Sequence, residues 1–305
     1  MAADQIIAVM GGTGLQGGGV VDALLERGQF GVRVLTRNPQ SDKSKALAER
    51  GVAAVEADLT RPETLEPAFA GAYGAFIVTN FWDPATQSNE TEQGMAAVRA
   101  AKAAGVKHCV WSTLPNCREI SGGKYEVVHF TGKAMVNTAV RDAGFEHYTF
   151  VEAPMYLQNL TGMMAPQPVE DGGSKKAWSI PMAADNRCMH VGDVHELGKL
   201  VARVFETPEQ NGQGRYLSMA AGLYSWQGLI EELNRQGHDI VYNRVPAEAF
   251  DQFFPGAAEL REMMEYFEEY TYFGPDREAK VAAANELVPG GFTSFADWAR
   301  ANMAP

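Results

Sequence analysis

The residues that most clearly indicate a chemical function form a glycine-rich loop, Gly11–Gly17, in the order Gly-Gly-Thr-Gly-Leu-Gln-Gly. The loop follows an apolar run, Ile6–Met10, and precedes Leu15–Arg27, where apolar residues recur on one helical face. A strand, a glycine loop and a helix in this order are typical of a dinucleotide site. Gly14 lets the backbone approach a diphosphate, and Gly17 allows close packing of helix and strand. Free N–H groups at the helix start would bind the phosphates.

Arg37 indicates which dinucleotide binds. It lies 20 residues after Gly17, at the end of the second predicted strand, where a residue that contacts the ribose is expected. An acid there would accept a hydrogen bond from the 2′-hydroxyl of NAD, whereas an arginine favours a 2′-phosphate. The sequence therefore predicts NADP(H). Asp58 and Leu59, just past the third strand, are candidates to flank the adenine, with an ordinary turn or helix-cap role for Asp58 as the alternative.

The elements that must position these residues alternate strand and helix as far as Val151. Continuous apolar strands separated by amphipathic helices indicate a parallel sheet covered on both faces. We therefore predict an α/β fold, a Rossmann-type doubly wound parallel sheet with a smaller C-terminal α/β lobe. Residues 1–151 form the predicted NADP-binding domain, to which a helix near 193–206 and a strand near 215–219 return. Residues 152–305 form most of the substrate or partner lobe.

The composition excludes several classes of function. The 305 residues carry a net charge of −12, which repels nucleic-acid phosphates, so no direct nucleic-acid binding is expected. No apolar stretch approaches the roughly 18 residues of a membrane span, and no secretory signal is evident. The three cysteines and six histidines lack metal-ligand or disulfide spacing. We expect a cytoplasmic protein without a metal site, of undetermined oligomeric state.

Several stretches together resemble the NmrA-like family, atypical short-chain dehydrogenase/reductases that include fungal nitrogen regulators and NADPH-sensing proteins. The matching stretches are Gly11–Gly17, Val34–Pro39, Ala57–Leu59, Thr79–Trp82, His129–Lys133 and Pro154–Leu160. The resemblance covers nearly the whole chain. It implies the fold and the cofactor, but it implies no single reaction, because the family mixes reductases with proteins that only bind the nucleotide.

The resemblance also implies a role for individual residues. The diphosphate would be held by Gly11, Thr13, Gly14, Leu15, Gln16 and Gly17, and the 2′-phosphate by Arg37. Thr79, Asn80 and Phe81 would line the groove after the fourth strand, Lys133 would reach the nicotinamide ribose, and Pro154 and Tyr156 would bound the nicotinamide pocket.

The catalytic pair departs from the superfamily pattern. Its reductases use Tyr-x-x-x-Lys, in which the lysine holds the ribose and the tyrosine protonates the developing alkoxide. Here His129 stands four residues before Lys133, and Tyr125 stands one turn earlier. A helix predicted over Lys124–Ala143 places all three on one stripe. Either His129 or Tyr125 donates the proton, with Thr113 of strand five near the substrate, or His129 is a polar residue in a site that only binds NADPH.

Two hypotheses of function follow from this altered pair. The leading one is an NADP(H)-binding, redox-responsive sensor or regulator that acts through protein contacts. The alternative is an NADPH-dependent reductase of a small carbonyl, imine or quinone-like substrate, and a weaker third is a structural scaffold with a vestigial site. The segment Glu259–Phe273 predicts an amphipathic helix that packs the lobe, or else caps a substrate pocket or a partner surface.

Overall fold

The computed structural model describes residues 5–83, 89–170 and 173–304. Its strands are β1 (Ile6–Met10), β2 (Gly31–Thr36), β3 (Ala53–Glu56), β4 (Gly74–Ile77), β5 (His108–Thr113), β6 (His147–Glu152), β7 (Met155–Tyr156), β8 (Gln167–Pro168), β9 (Lys176–Ile180), β10 (Met189–Gly192), β11 (Gln213–Ser218), β12 (Gly222–Tyr224) and β13 (Ile240–Arg244). Its α-helices are α1 (Leu15–Arg27), α2 (Asp42–Glu49), α3 (Leu65–Phe69), α4 (Glu90–Ala103), α5 (Cys117–Ile120), α6 (Val128–Asp142), α7 (Leu197–Glu206), α8 (Pro208–Asn211), α9 (Trp226–Arg235), α10 (Ala247–Phe250), α11 (Ala257–Tyr270), α12 (Arg277–Leu287) and α13 (Phe295–Asn302).

Seven strands form one parallel sheet in the order β11-β6-β5-β4-β1-β2-β3. The prediction of a Rossmann-type α/β fold is confirmed. β1 pairs with β2 on one side and with β4 on the other, so the strand order reverses there. In such sheets a ligand binds outside the carboxyl ends of the strands at the point of reversal.

Helices cover both faces of this sheet, which explains why its central strands are apolar along their whole length. One core lies under α1, α7 and α12, and the other lies under α3, α4 and α6. On β5 the successive residues Val110 and Trp111 face opposite cores, and both are fully buried. Helices α1 and α7 approach closely through Gly19 and Gly198.

The C-terminal lobe contains two further sheets of three strands, β12-β10-β7 and β13-β9-β8. Its core is formed largely by α9, α11 and α13. No sequence pattern predicted β9 or α12. α10 and α11 are separate helices, and Gly256 just before α11 has a φ of 94°, a left-handed conformation that breaks a helix.

The predicted helix over Lys124–Ala143 begins too early, because α6 starts at Val128. Val127 has a φ of 38°, outside the helical region. The backbone N–H of Glu126 instead donates to the Glu262 carboxylate of α11 at 2.8 Å. Tyr125 therefore precedes the helix, and the prediction of a single stripe of three side chains is wrong.

Two features of the described residues bear on other classes of function. None of the described helices is both long and apolar enough to cross a membrane, and the same part of the chain contains no group of three or more candidate metal ligands. Cys109, Cys117 and Cys188 are buried free thiols, and burial raises the pKa of each.

Because of two buried histidines, we expect the free energy of unfolding to fall in acid. Burial, and to a smaller extent nearby positive charge, lowers the pKa of His108 to about 3 and that of His190 to about 4. In the unfolded chain both would titrate near 6.5, so the unfolded state binds more protons below that pH. We expect the free energy of unfolding to fall by up to about 1.4 kcal/mol per pH unit for each histidine between pH 6.5 and 4.

Urea denaturation across this pH range measures the effect. His108→Leu should make the decline shallower by about 1.4 kcal/mol per pH unit. An unchanged slope in that variant would show that His108 is not the source.

Candidate functional site

A groove of about 430 Å³ lies at the carboxyl ends of β1, β2 and β4, where the strand order reverses. It brings together twelve of the residues predicted to bind the cofactor: Gly11, Thr13, Gly14, Leu15, Gln16, Gly17, Arg37, Asp58, Leu59, Thr79, Asn80 and Tyr156. Three other predicted residues, Phe81, Pro154 and Lys133, do not line it. The loops that follow β1, β2, β3 and β4 thus shape the groove, together with Tyr156 of β7.

The glycine loop has the conformation that close approach to a diphosphate requires. Gly11 has φ of 66°, which favours glycine, and its carbonyl oxygen accepts from the Gly14 N–H at 2.8 Å. A Cβ added to Gly17 would lie 2.3 Å from the Gly11 carbonyl oxygen, so no larger residue fits. Gly14 is the N-cap residue of α1 and has no side chain to bind the helix N-terminus. The first N–H groups of that helix have no hydrogen-bond partner within it.

Arg37 lies at the rim of the groove, with its side chain 62% exposed. Its Nη1 is 2.7 Å from the Asp83 carboxylate, which also lines the groove. Nearby, Lys43 Nζ donates to the Thr13 carbonyl oxygen at 3.3 Å. Two cations therefore border this end of the groove. An anion bound to Arg37 would share the guanidinium with the Asp83 carboxylate.

Gln16 and Tyr156, which both line the groove, belong to one chain of hydrogen bonds. Ser112 Oγ donates to Gln16 Oε1 at 2.7 Å, and Gln16 Nε2 donates to the Tyr156 hydroxyl. Burial raises the pKa of Tyr156, the Gln16 hydrogen bond lowers it, and the charge of Glu90 raises it, with a net increase. The Tyr156 phenol is therefore a neutral group in the lining of the groove.

Lys133 lies behind Thr79 in a closed cluster. Its Nζ donates to the Glu90 carboxylate at 2.6 Å and to the Thr79 carbonyl and hydroxyl oxygens at 2.9 Å each. The Thr79 hydroxyl in turn donates to the same Glu90 oxygen at 2.7 Å. Lys133 and Glu90 are 8% and 4% exposed. An ammonium has three N–H donors, and all three are used here.

His129 lies one turn before Lys133 and is held from the lobe. Its Nδ1 is 2.6 Å from the Glu259 carboxylate of α11, and its backbone N–H donates to the same oxygen. Burial alone would raise the pKa of Glu259, but the His129 hydrogen bond and charge hold it below its ordinary value. The imidazole ring also packs against Phe81 and Trp82, with ring centroids 5.6 and 5.3 Å away.

The structure does not bring Tyr125 or Thr113 to this cluster. The Tyr125 hydroxyl donates to Glu269 at 2.7 Å in the lobe, and burial followed by that hydrogen bond raises its pKa. The Thr113 hydroxyl is fully buried and donates to Asn137 at 2.8 Å.

Three acidic residues of the site went unnoticed in the sequence: Asp83, Glu90 and Glu259. Asp83 and Glu90 follow β4, the strand whose end lines the groove, and that position was the available signal for both. Glu259 lies on a separate helix of the lobe, and no pattern near His129 points to it. Glu259 and Glu262 of α11 both accept backbone N–H groups at the start of α6.

Comparisons with known proteins agree with this architecture. The model of the NmrA-like family matches residues 3–299. The NmrA-like family domain-containing oxidoreductase FrzB of Cladobotryum sp is 34% identical over 303 residues, which is 91% of this chain and 89% of FrzB.

Two solved structures share the fold. NmrA, a negative transcriptional regulator solved in complex with NADP, has a TM-score of 0.78 at 22% identity, covering 97% of this chain and 94% of NmrA. The triphenylmethane reductase of Citrobacter sp, complexed with NADP(H), has a TM-score of 0.77 at 20% identity, covering 98% of this chain and 100% of the reductase. The family match over nearly the whole length, together with FrzB, decides the assignment: this chain belongs to the NmrA-like family.

Proposed function

We propose that this protein binds NADP(H) in the groove above Gly11–Gly17 and acts as a redox-responsive regulator through its C-terminal lobe. The diphosphate would lie on the N-terminus of α1, and the 2′-phosphate would contact Arg37 and lie near Lys43. The nicotinamide end would lie toward Tyr156. The solved complexes of NmrA and triphenylmethane reductase with NADP support this choice of cofactor.

One observation carries the choice of a regulator over a reductase. The three donors of Lys133 are used by Glu90 and Thr79, so the lysine has none left for a nicotinamide ribose. Tyr125, the tyrosine nearest in sequence, is hydrogen-bonded to Glu269 in the lobe. Twelve predicted cofactor residues lie together in the groove. Lys133 and Tyr125, by contrast, are bound to Glu90 and Glu269, which do not line it.

The contact of His129 with Glu259 offers a route from the groove to the lobe. Phe81 follows the groove residue Asn80 and packs on His129, which Glu259 holds from α11. A change at the nicotinamide end that moves Phe81 would therefore act on α11. We expect backbone hydrogen exchange in α11 to differ between the NADP⁺ and NADPH complexes. Identical exchange in the two complexes would contradict regulation by this route.

Reversing the charge of Arg37 tests the cofactor. Arg37→Glu should weaken NADPH binding at least tenfold and leave NADH binding nearly unchanged, since a hydrogen bond to a charged group contributes about 1.5–3 kcal/mol. Thermal stabilisation measured at several concentrations of each nucleotide gives the affinities.

Arg118→Glu is the matched control, because Arg118 is 67% exposed and belongs to α5, outside the groove lining. Equal losses in both variants would reflect general electrostatics, and stronger binding of NADH than NADPH by the wild type would contradict the role of Arg37.

A second candidate is an NADPH-dependent reductase of a small carbonyl, imine or quinone-like substrate. The naming of FrzB as an oxidoreductase and the orientation of His129 by Glu259 favour it. In this reading the cofactor supplies the hydride. His129, whose Nδ1 is bound to Glu259, is the candidate proton donor through Nε2.

NADPH oxidation measured over panels of these substrates distinguishes the two candidates. For a regulator we expect no turnover by the wild type. Turnover that His129→Phe abolishes, while NADPH still stabilises the variant, would favour the reductase.

A further inference from the structure

The C-terminal lobe contains a second cavity, of about 380 Å³, whose lining shares no residue with the nucleotide groove. It lies between β9 and the helices α10 and α11, and the segment that follows the short 3-10 helix Leu157–Thr161 forms another wall. Most of its lining is apolar, and much of it is aromatic or sulfur-containing, including Met163, Met164, Trp178, Phe250, Phe253 and Phe254.

The lack of charged side chains among the described lining residues restricts the class of ligand that can bind. Among the described residues that line the cavity, the two non-apolar ones are Gln167 and Ser179, and neither is charged. An ion transferred into such surroundings would lose hydration without gaining a partner, which costs far more than binding returns. The cavity is therefore suited to a neutral molecule. Rings of phenylalanine and tryptophan favour an aromatic one, through offset or edge-to-face contacts.

Two polar groups remain available to orient such a ligand. Trp178 Nε1 donates to the Met164 carbonyl oxygen at 2.7 Å and is therefore not available to a ligand. Gln167 Nε2 donates to the Ala165 carbonyl at 2.7 Å, which leaves the amide oxygen as an acceptor. Ser179 Oγ accepts from Asn243 at 3.0 Å, which leaves its hydroxyl proton to donate. One donor and one acceptor beside an apolar wall match an aromatic ring that carries a hydroxyl or a carbonyl group.

The edge of the cavity is itself apolar. Met163 and Phe253 line it, yet they are 57% and 49% exposed, among the most exposed large apolar side chains of the described residues. Large apolar side chains grouped at a concave site mark a place where another molecule is bound. The volume falls in the range of small-molecule pockets, about 300–1,000 Å³.

We propose that this cavity binds a neutral, flat aromatic molecule of about two fused rings that bears a hydroxyl or carbonyl group. The site is separate from the nucleotide groove, and the proposal does not depend on which of the two candidate functions holds. Leu260 of the cavity and Glu259, the partner of His129, are neighbours on α11, so the ligand would lie beside the helix that reaches His129.

Calorimetric titration with 1-naphthol, and with naphthalene-1-sulfonate as the charged analogue, tests the proposal. The wild type should bind 1-naphthol at least tenfold more tightly than the sulfonate. Ala177→Phe, which fills the cavity from a strand that tolerates aromatic residues, should weaken 1-naphthol binding at least tenfold. Phe253→Ser should weaken it severalfold, and because the position is half exposed the variant should fold.

Met135→Ser is the control, because Met135 is also 50% exposed but lies on α6, outside the cavity. It should bind 1-naphthol as the wild type does. Unfolding midpoints confirm that each variant is folded, and NADPH stabilisation followed in parallel separates failure at this site from failure at the groove. Absence of 1-naphthol binding, equal binding of the sulfonate, or equal binding by all variants would overturn the proposal.

Discussion

Replacing Glu90 with alanine is expected to destabilise the protein by about 3–5 kcal/mol, because the Lys133 ammonium stays buried without its counter-ion. The pair is 2.6 Å apart, with each partner under 10% exposed. The Thr79 hydroxyl would lose its acceptor in the same step. Urea denaturation measures the loss as a change in midpoint at constant slope.

A double variant separates the buried charge from the lost packing. Glu90→Leu combined with Lys133→Met removes both charges together, and we expect it to recover most of the stability lost in Glu90→Leu alone, since an apolar pair often replaces a buried ion pair at little cost. A loss below about 1 kcal/mol in Glu90→Ala would mean that Lys133 finds another acceptor. In that case the lysine is free to move toward a nicotinamide ribose, which would favour the reductase.

Replacing Gly198 with alanine is expected to lower the free energy of unfolding by about 3 kcal/mol or more, because the added methyl group overpacks the contact between α1 and α7. A Cβ on Gly198 would lie 1.9 Å from the Gly19 carbonyl oxygen and 2.2 Å from its carbonyl carbon. Those atoms are backbone, so they cannot rotate away, and α7 would have to move from α1. The displacement would reach the core beneath both helices, which includes Val20 and Leu200.

Gly18→Ala provides the matched control within α1. Its added Cβ would lie 3.7 Å from the nearest atom, an ordinary contact, and alanine is favoured over glycine inside a helix by about 0.5–1 kcal/mol. This control should be neutral or slightly stabilising. Equal stability of the Gly198→Ala and Gly18→Ala proteins would show that α1 and α7 adjust without cost.

The nucleotide groove could be predicted from the sequence because local geometry makes it. The strand Ile6–Met10, the glycine loop and the helix Leu15–Arg27 are contiguous, and the structure reproduces both sets of bounds. Gly17 is required by a backbone contact only six residues away, with Gly11. Periodicity and glycine content carry information over this range, whereas the more distant lining residues Thr79, Asn80 and Tyr156 were implied by the family resemblance.

The start of α6 could not be predicted in the same way. The residues from Lys124 onward have acceptable helical composition, but the Glu262 carboxylate, 136 residues from Glu126, takes the N–H that a helix would have used. Tyr125 was consequently placed with His129, whereas its hydroxyl pairs with Glu269. A helix boundary set by a distant side chain leaves no local signal.

By itself the sequence determined the fold class, the glycine loop at the end of β1 and the arginine at the end of β2. Each depends on residue type and short-range spacing, which the chain carries wherever it packs. Only the tertiary structure decided what the candidate catalytic residues do. Lys133 is neutralised by Glu90, 43 residues away, and His129 is held by Glu259, 130 residues away. Packing of α4, α6 and α11 creates these pairs, because a side chain's chemistry depends on the charge it meets and not on its neighbours in sequence.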